Sequence, residues 1–180
     1  MRIIAGSRKS RTLKALDNQN TRPTLDKVKE ACFSKIGNEV IDCKFLDLFA
    51  GSGNIGLEAL SRGASHCDFV EGSKDALKII QENVKALDFK EESSIYHMDA
   101  FQACRYFKNK AFSYDIVYCD PPYNKVEVDK ILKHLIPITH LNSLIIFESN
   151  QEIIEINEAY RLEKSVKYGT VILTYIRRNS

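Results

Sequence analysis

Phe45-Leu46-Asp47-Leu48-Phe49-Ala50-Gly51-Ser52-Gly53-Asn54-Ile55-Gly56 decides the fold of this chain. The apolar run from Cys43 to Leu46 reads as a buried strand, and the glycines after it open a helix. Strand, glycine turn and helix in that order make the first half of a βαβ unit. A second apolar run, Tyr114 to Cys119, leads into Asp120-Pro121-Pro122-Tyr123. Each motif thus ends a strand candidate, and together they describe one site. The glycine turn holds a nucleotide-like cofactor, and the stiff Asp-Pro-Pro-Tyr turn holds a flat, amine-bearing substrate beside it.

The pattern repeats outward from there. Strand candidates are 43–49, 67–71, 94–98, 114–119, 143–148, 161–168 and 170–177. Helix candidates are 54–62, 73–87, 100–107, 126–135 and a short one near 151–157. Gly63 follows one helix and Ser73 caps the next. Such alternation predicts an α/β fold: a mostly parallel sheet with helices on both faces. Only Tyr168-Gly169 separates the last two strands, so they should pair as an antiparallel hairpin. Upstream, Leu25, Val28, Cys32 and Ile36 form the apolar stripe of a further helix, with Thr24 as its cap and Gly37 as its stop. Residues 2–14 alternate weakly around Gly6-Ser7 and read as a short β-hairpin arm. The expected division is an arm over 1–22 and one domain over 23–180.

At 180 residues and 44% hydrophobic content the chain has material for one real core. The net charge of +2 hides an asymmetry. Residues 1–22 carry Arg2, Arg8, Lys9, Arg11, Lys14 and Arg22 against the single acid Asp17. The remainder is mildly acidic. A basic arm on such a body suggests a polyanion partner, although small basic clusters are often only solvated. Five cysteines at 32, 43, 67, 104 and 119 form no C-x-x-C pair. They fit reduced core thiols, with neither a disulfide framework nor a zinc site, and His66-Cys67 is too isolated to bind a metal. No apolar run has membrane-spanning length, and the N-terminal run is too short for a signal peptide. A soluble, cytoplasmic protein is expected.

The glycine pattern alone would also suit a dinucleotide, with its pyrophosphate at the helix N-terminus. Asp47 argues otherwise. A carboxylate four residues before Gly51 repels a pyrophosphate and suits the ammonium group of a methionine moiety. Glu71 ends the next strand, about where an acid accepts from ribose hydroxyls. Asp99 ends the third strand and is placed to accept from an adenine amine, or equally to cap the helix that starts at Ala100. The cofactor set is therefore Asp47, Phe49, Ala50, Gly51, Gly53, Glu71, Asp99 and Ala100.

The second motif carries the chemistry. An exocyclic amine on a base is a poor nucleophile because its lone pair is delocalised into the ring. A carboxylate that accepts its N–H localises that pair and offsets the developing positive charge. Asp120 has this role, Pro121 and Pro122 stiffen the backbone, and Tyr123 offers a face for stacking. The remaining alternative is a plain strand-ending turn.

These motifs mark amino-methyltransferases that use S-adenosylmethionine, and nearly the whole chain resembles one bacterial family of them, the 16S ribosomal RNA guanine-N2 methyltransferases. The resemblance runs from Arg2-Ile3-Ile4-Ala5-Gly6 through Arg22-Pro23-Thr24-Leu25-Asp26-Lys27-Val28-Lys29-Glu30 and Gly56-Leu57-Glu58-Ala59-Leu60-Ser61-Arg62 to Glu148-Ser149. It implies a seven-stranded Rossmann-like class I sheet and S-adenosylmethionine as methyl donor. It also implies ribosomal RNA or a small-subunit particle as partner, without membrane or metal. Arg8, Lys9, Arg11, Lys14, Arg22 and Thr24 then become candidate RNA contacts. Ser10-Arg11 departs from the family pattern, which usually has a glycine before the second basic residue of the arm. The rivals are a DNA adenine-N6 or cytosine-N4 methylase, a protein glutamine methylase and an NAD-dependent oxidoreductase. The first needs a recognition domain that this chain has no room for. The second favours asparagine where Asp120 stands.

Overall fold

The computed structural model describes residues 1–16, 23–122, 128–153 and 155–179, and of residues 23–25 only the backbone. Arg22 and Tyr123, and the side chain of Thr24, lie outside the described residues. Among the described residues, five α-helices and seven strands follow in chain order: α1 (Pro23–Ile36), β1 (Lys44–Asp47), α2 (Asn54–Ser61), β2 (His66–Glu71), α3 (Lys74–Leu87), β3 (Ser93–His97), α4 (Ala100–Asn109), β4 (Tyr114–Cys119), α5 (Val128–Leu135), β5 (Thr139–Ser149), β6 (Tyr160–Tyr168) and β7 (Val171–Arg178).

The strands form one sheet in the order β3-β2-β1-β4-β5-β7-β6. The first five pair parallel. The hairpin of β6 and β7 is antiparallel, with β7 inserted against β5. The expected Rossmann-like α/β fold holds. Period-two alternation explains how one strand serves two cores. Phe45, Ile116, Tyr118, Leu144 and Ile146 face α1, α2 and α3, while Leu46, Val117, Cys119, Ile145 and Phe147 face α4 and α5.

Four expectations change. Helix α1 starts at Pro23, so Thr24 lies inside it rather than at its cap. The short helix near 151–157 is absent among its described residues. Strand β5 starts at Thr139 rather than 143, through an irregular pairing with β4 that its polar first residues disguise. The arm is a hairpin with one isolated bridge, Arg2 to Thr12, rather than a strand ladder. Ser10 takes the left-handed backbone, φ 68°, that a glycine would adopt freely. That conformation costs a non-glycine residue roughly 1–2 kcal/mol. The arm is nevertheless fixed, because Ile3 and Leu13 are buried in the α1–α3 core.

All five cysteines are buried and unpaired, on α1, before β1, on β2, in α4 and at the end of β4. Among the described residues, no helix is long and apolar enough to cross a membrane and no cluster of metal-ligating side chains occurs.

Candidate active site

The C-terminal ends of β1, β2, β3 and β4 converge on one cavity of about 500 Å³. Its walls include Phe49, Gly51, Glu71, Asp99 and Ala100 from the expected cofactor set, and Asp120, Pro121 and Pro122 from the second motif. Two motifs some seventy residues apart in sequence thus share one cleft, because β1 and β4 are neighbours in the sheet. Leu48, Val70, Gly72 and Met98 complete the described lining. The sequence reading missed these four, though each adjoins a strand-ending residue that it named.

The glycines of the turn have separate reasons to be there. Gly51 and Gly53 have φ of 56° and 79°, the left-handed region that lets the loop reverse into α2. Gly56 is a packing residue. A Cβ there would lie 2.4 Å from the Phe69 ring and 2.6 Å from Cys67 Sγ, so its absence lets α2 lie close on β2.

Asp47, Ala50 and Gly53 do not line the cavity. Asp47 is 2% exposed, and its Oδ2 accepts from Gly56 N at 2.9 Å. It anchors the first turn of α2 under the loop. Burial pushes its carboxyl up to about 7, against the pull of the Gly56 N–H and with added repulsion from Glu71. Glu71 spans two turns: Oε2 accepts from Gly51 N and Oε1 from Ser73 N, both at 2.8 Å. The β1 and β2 loops are thereby held together over the cavity. Asp99 does cap α4, accepting from Phe101 N and Gln102 N at 2.9 Å, in a capping box with Gln102. Both bonds use Oδ1, so capping and lining the cavity are compatible.

Asp120 stands at the end of β4 with its exposed side to the cleft. Its carboxyl is pushed well up, first by desolvation at the crowded strand ends, then by repulsion from Glu148 and Asp47. Glu148 is also pushed up by burial, against a hydrogen bond from Tyr118.

A smaller cavity of about 290 Å³ lies at the opposite, N-terminal edge of the strands. Four of its polar side chains are already paired with one another. His66 meets Asp68 and Ser94 at 3.2 Å, and the Tyr114 hydroxyl donates to Asp68 at 2.6 Å.

The basic arm lies along the end of α3. Arg8 Nε donates to Leu87 O at 2.7 Å, and its guanidinium covers the Phe89 ring at 4.9 Å. Arg11 donates to Ala86 O at 2.8 Å, and Lys14 pairs with Glu82 at 2.8 Å. Three of the arm's cations thus serve the last carbonyls and the flank of α3, where positive charge is favoured. Lys9 is exposed and has no side-chain partner among the described residues.

A family model described as "Conserved hypothetical protein 95" matches residues 1–177. The "Putative rRNA methyltransferase YlbH" of Bacillus subtilis is 41% identical over 73% of this chain and 72% of its own length. The "Ribosomal RNA small subunit methyltransferase D" of Haemophilus influenzae is 34% identical over 69% of this chain and 64% of its own length. Among solved structures, "Putative methyltransferase yhhF" of Escherichia coli superposes with a TM-score of 0.88 at 27% identity, over 99% of this chain and 98% of that one. An RNA methyltransferase of Salinibacter ruber, in complex with S-adenosyl-L-homocysteine, shares the fold at 13% identity and a TM-score of 0.67, over 90% of this chain and 95% of that one.

Proposed function

The chain belongs to the family described as conserved hypothetical protein 95, and from that membership we propose that it methylates the exocyclic N2 of a guanine in small-subunit ribosomal RNA, with S-adenosylmethionine as donor. One observation carries the reading: Asp120 and the glycine loop face the same cleft. The coarser activity, a methyltransferase acting on ribosomal RNA, is supported by the relatives named for it in Bacillus subtilis and Haemophilus influenzae. The donor is supported by the S-adenosyl-L-homocysteine complex that shares the fold. This reading also carries a cytoplasmic location, where ribosomal RNA is made.

In the reaction the guanine N2 attacks the methyl carbon in line with the sulfur. A C–N bond forms, the C–S bond breaks and the electron pair stays on sulfur. Asp120 accepts a hydrogen bond from the amine, supports the positive charge that builds on it and takes the proton it gives up. Pro121 and Pro122 fix the carboxylate, and Tyr123 stacks on the base. Glu71 holds the ribose hydroxyls, Asp99 the adenine amine, and Phe49, Gly51 and Ala100 form the seat, while Ala50 and Gly53 shape the loop behind it. Asp47 acts through the loop and α2.

The test has two arms. S-adenosyl-L-homocysteine at a hundred times its dissociation constant should stabilise the protein by about 2.7 kcal/mol, and NAD should not. Small-subunit RNA from cells with the gene should carry one N2-methylguanine that cells without it lack. A thermal shift with NAD alone, or identical methylation profiles, would sink the reading.

RNA contact by the arm is a separate expectation, and the geometry divides its residues. Arg8→Ala should lower stability by about 1.5–3 kcal/mol, the worth of a hydrogen bond to a charged group. Lys9→Ala should leave stability alone and reduce the log-log salt slope of RNA binding by about 0.7–0.9, one phosphate contact. Denaturant melts and RNA affinity across a salt series measure both. An unchanged salt slope for Lys9→Ala would remove that residue from the RNA interface.

A further inference from the structure

Glu148 lies one strand beyond the catalytic turn. The parallel register sets Tyr118 beside Ile146 and Cys119 beside Phe147, which brings Glu148 level with Asp120 at the same sheet edge. The cofactor cleft ends at Asp120 and its prolines, and Glu148 does not line it. The cleft therefore occupies the β1–β2–β3 side of Asp120, and Glu148 the β5 side. A methyl acceptor must meet the donor from across Asp120, on that second side.

Glu148 is 9% exposed, and its Oε2 accepts from the Tyr118 hydroxyl at 2.5 Å. No described residue hydrogen-bonds its Oε1. Tyr118 itself is fully buried on β4, so it pins the carboxylate in one orientation. Asp120 faces the open cleft while Glu148 is buried, and two carboxyls level with one another on neighbouring strands repel unless N–H donors meet them. Both are held above the ordinary carboxylate range by burial, and Asp120 also by Glu148, as expected of a site that awaits donors.

We propose that Glu148 reads the Watson–Crick edge of the target base, with Oε1 accepting from guanine N1–H while Asp120 accepts from the N2 amine. This rests on the guanine-N2 reading above. Guanine presents those two donors side by side. Adenine and cytosine present a ring-nitrogen lone pair where N1–H would be, which Glu148 repels. Glu148 is thus a specificity residue, and Tyr118 is its positioning residue.

A base analogue separates this from a structural role. 2-Aminopurine keeps the 2-amine but has a bare lone pair at N1. Small-subunit RNA carrying guanine or 2-aminopurine at the mapped position would be methylated with labelled S-adenosylmethionine by native protein and by Glu148→Gln. The native protein should prefer guanine on the order of ten- to a hundredfold. In Glu148→Gln the Tyr118 hydroxyl still donates to the amide oxygen, which turns the amide N–H₂ toward the base. That variant should lose or reverse the preference while its melting temperature and S-adenosyl-L-homocysteine affinity stay native. Equal native rates on the two bases overturn the inference without any variant, as does an unchanged ratio in Glu148→Gln. In both cases N2 methylation persists, so the function stands. Loss of N2 methylation on every RNA would instead remove the function and this inference together.

Discussion

Asp120→Ala should lower methyl transfer by on the order of a hundredfold or more while cofactor affinity stays close to native. The carboxylate is the charged acceptor nearest the β5 side of the cleft, whereas the proposed cofactor seat draws mainly on β1, β2 and β3. Losing it removes a charge that matters most as the amine becomes cationic, so the effect falls on turnover. The rate should also carry a pH signature. Asp120 must be ionised to accept the amine, and its carboxyl is held above the usual range by desolvation, Glu148 and Asp47. Transfer should therefore rise with pH along an acid limb displaced upward from an ordinary aspartate, and that limb should change position in Asp120→Ala, where Glu148 alone remains of the pair. Single-turnover rates across pH, with isothermal titration of S-adenosyl-L-homocysteine, measure both. Near-native turnover by a folded Asp120→Ala protein would end the catalytic assignment.

Glu58→Ala should cost about 3–5 kcal/mol of stability, the toll of breaking a buried ion pair from one side. Glu58 is fully buried on α2 and accepts from Ile4 N at 2.8 Å, Ala5 N at 3.0 Å and Arg62 Nε at 2.7 Å. Lys29, 1% exposed on α1, lies 3.2 Å away and also donates to Arg2 O and to Asn54 Oδ1. Burial lowers the Lys29 pKa, and Glu58 is the main influence opposing that fall. Removing the glutamate leaves an ammonium and two backbone amides without their charged acceptor. Adding Lys29→Met to Glu58→Ala should recover part of the loss, because it removes the stranded charge. Urea denaturation of the three variants gives the numbers. A loss below about 1 kcal/mol for Glu58→Ala would mean that water replaces the carboxylate and that the arm is not held by it.

What was legible in the sequence, and what was not, follows from the range of the interactions. The central strands were legible because β1, β2 and β4 are buried on both faces and write themselves as apolar runs. The Asp99 cap was legible as one of two options because capping is local to four residues. The Lys29–Glu58 pair was not, because each charge sits in a helix segment where charges ordinarily face water. Only the packing of the arm and α1 against α2 turns both inward. The fate of Arg8, Arg11 and Lys14 was hidden for the same reason: a cluster of cations has the same composition whether it meets a phosphate or a helix C-terminus. The burial of Asp47 beneath its loop was hidden too. Its spacing from Gly51 gives its position along the chain, while the Gly56 amide that claims it lies on the far side of the turn.

The five cysteines give this chain its own gauge of internal opening. A thiol reagent attacks the thiolate, and burial pushes the thiols of Cys32, Cys43 and Cys104 up to about 12 and holds those of Cys67 and Cys119 well above the ordinary thiol range. In the closed protein all five are shielded both by protonation and by packing. Alkylation must then wait for a fluctuation, and its pace at each sulfur reports how often the surrounding element parts from the sheet. Since the sulfurs are distributed over two helices, two strands and a strand entrance, one mass-spectrometric time course reads out five local free energies without any label being engineered into the molecule.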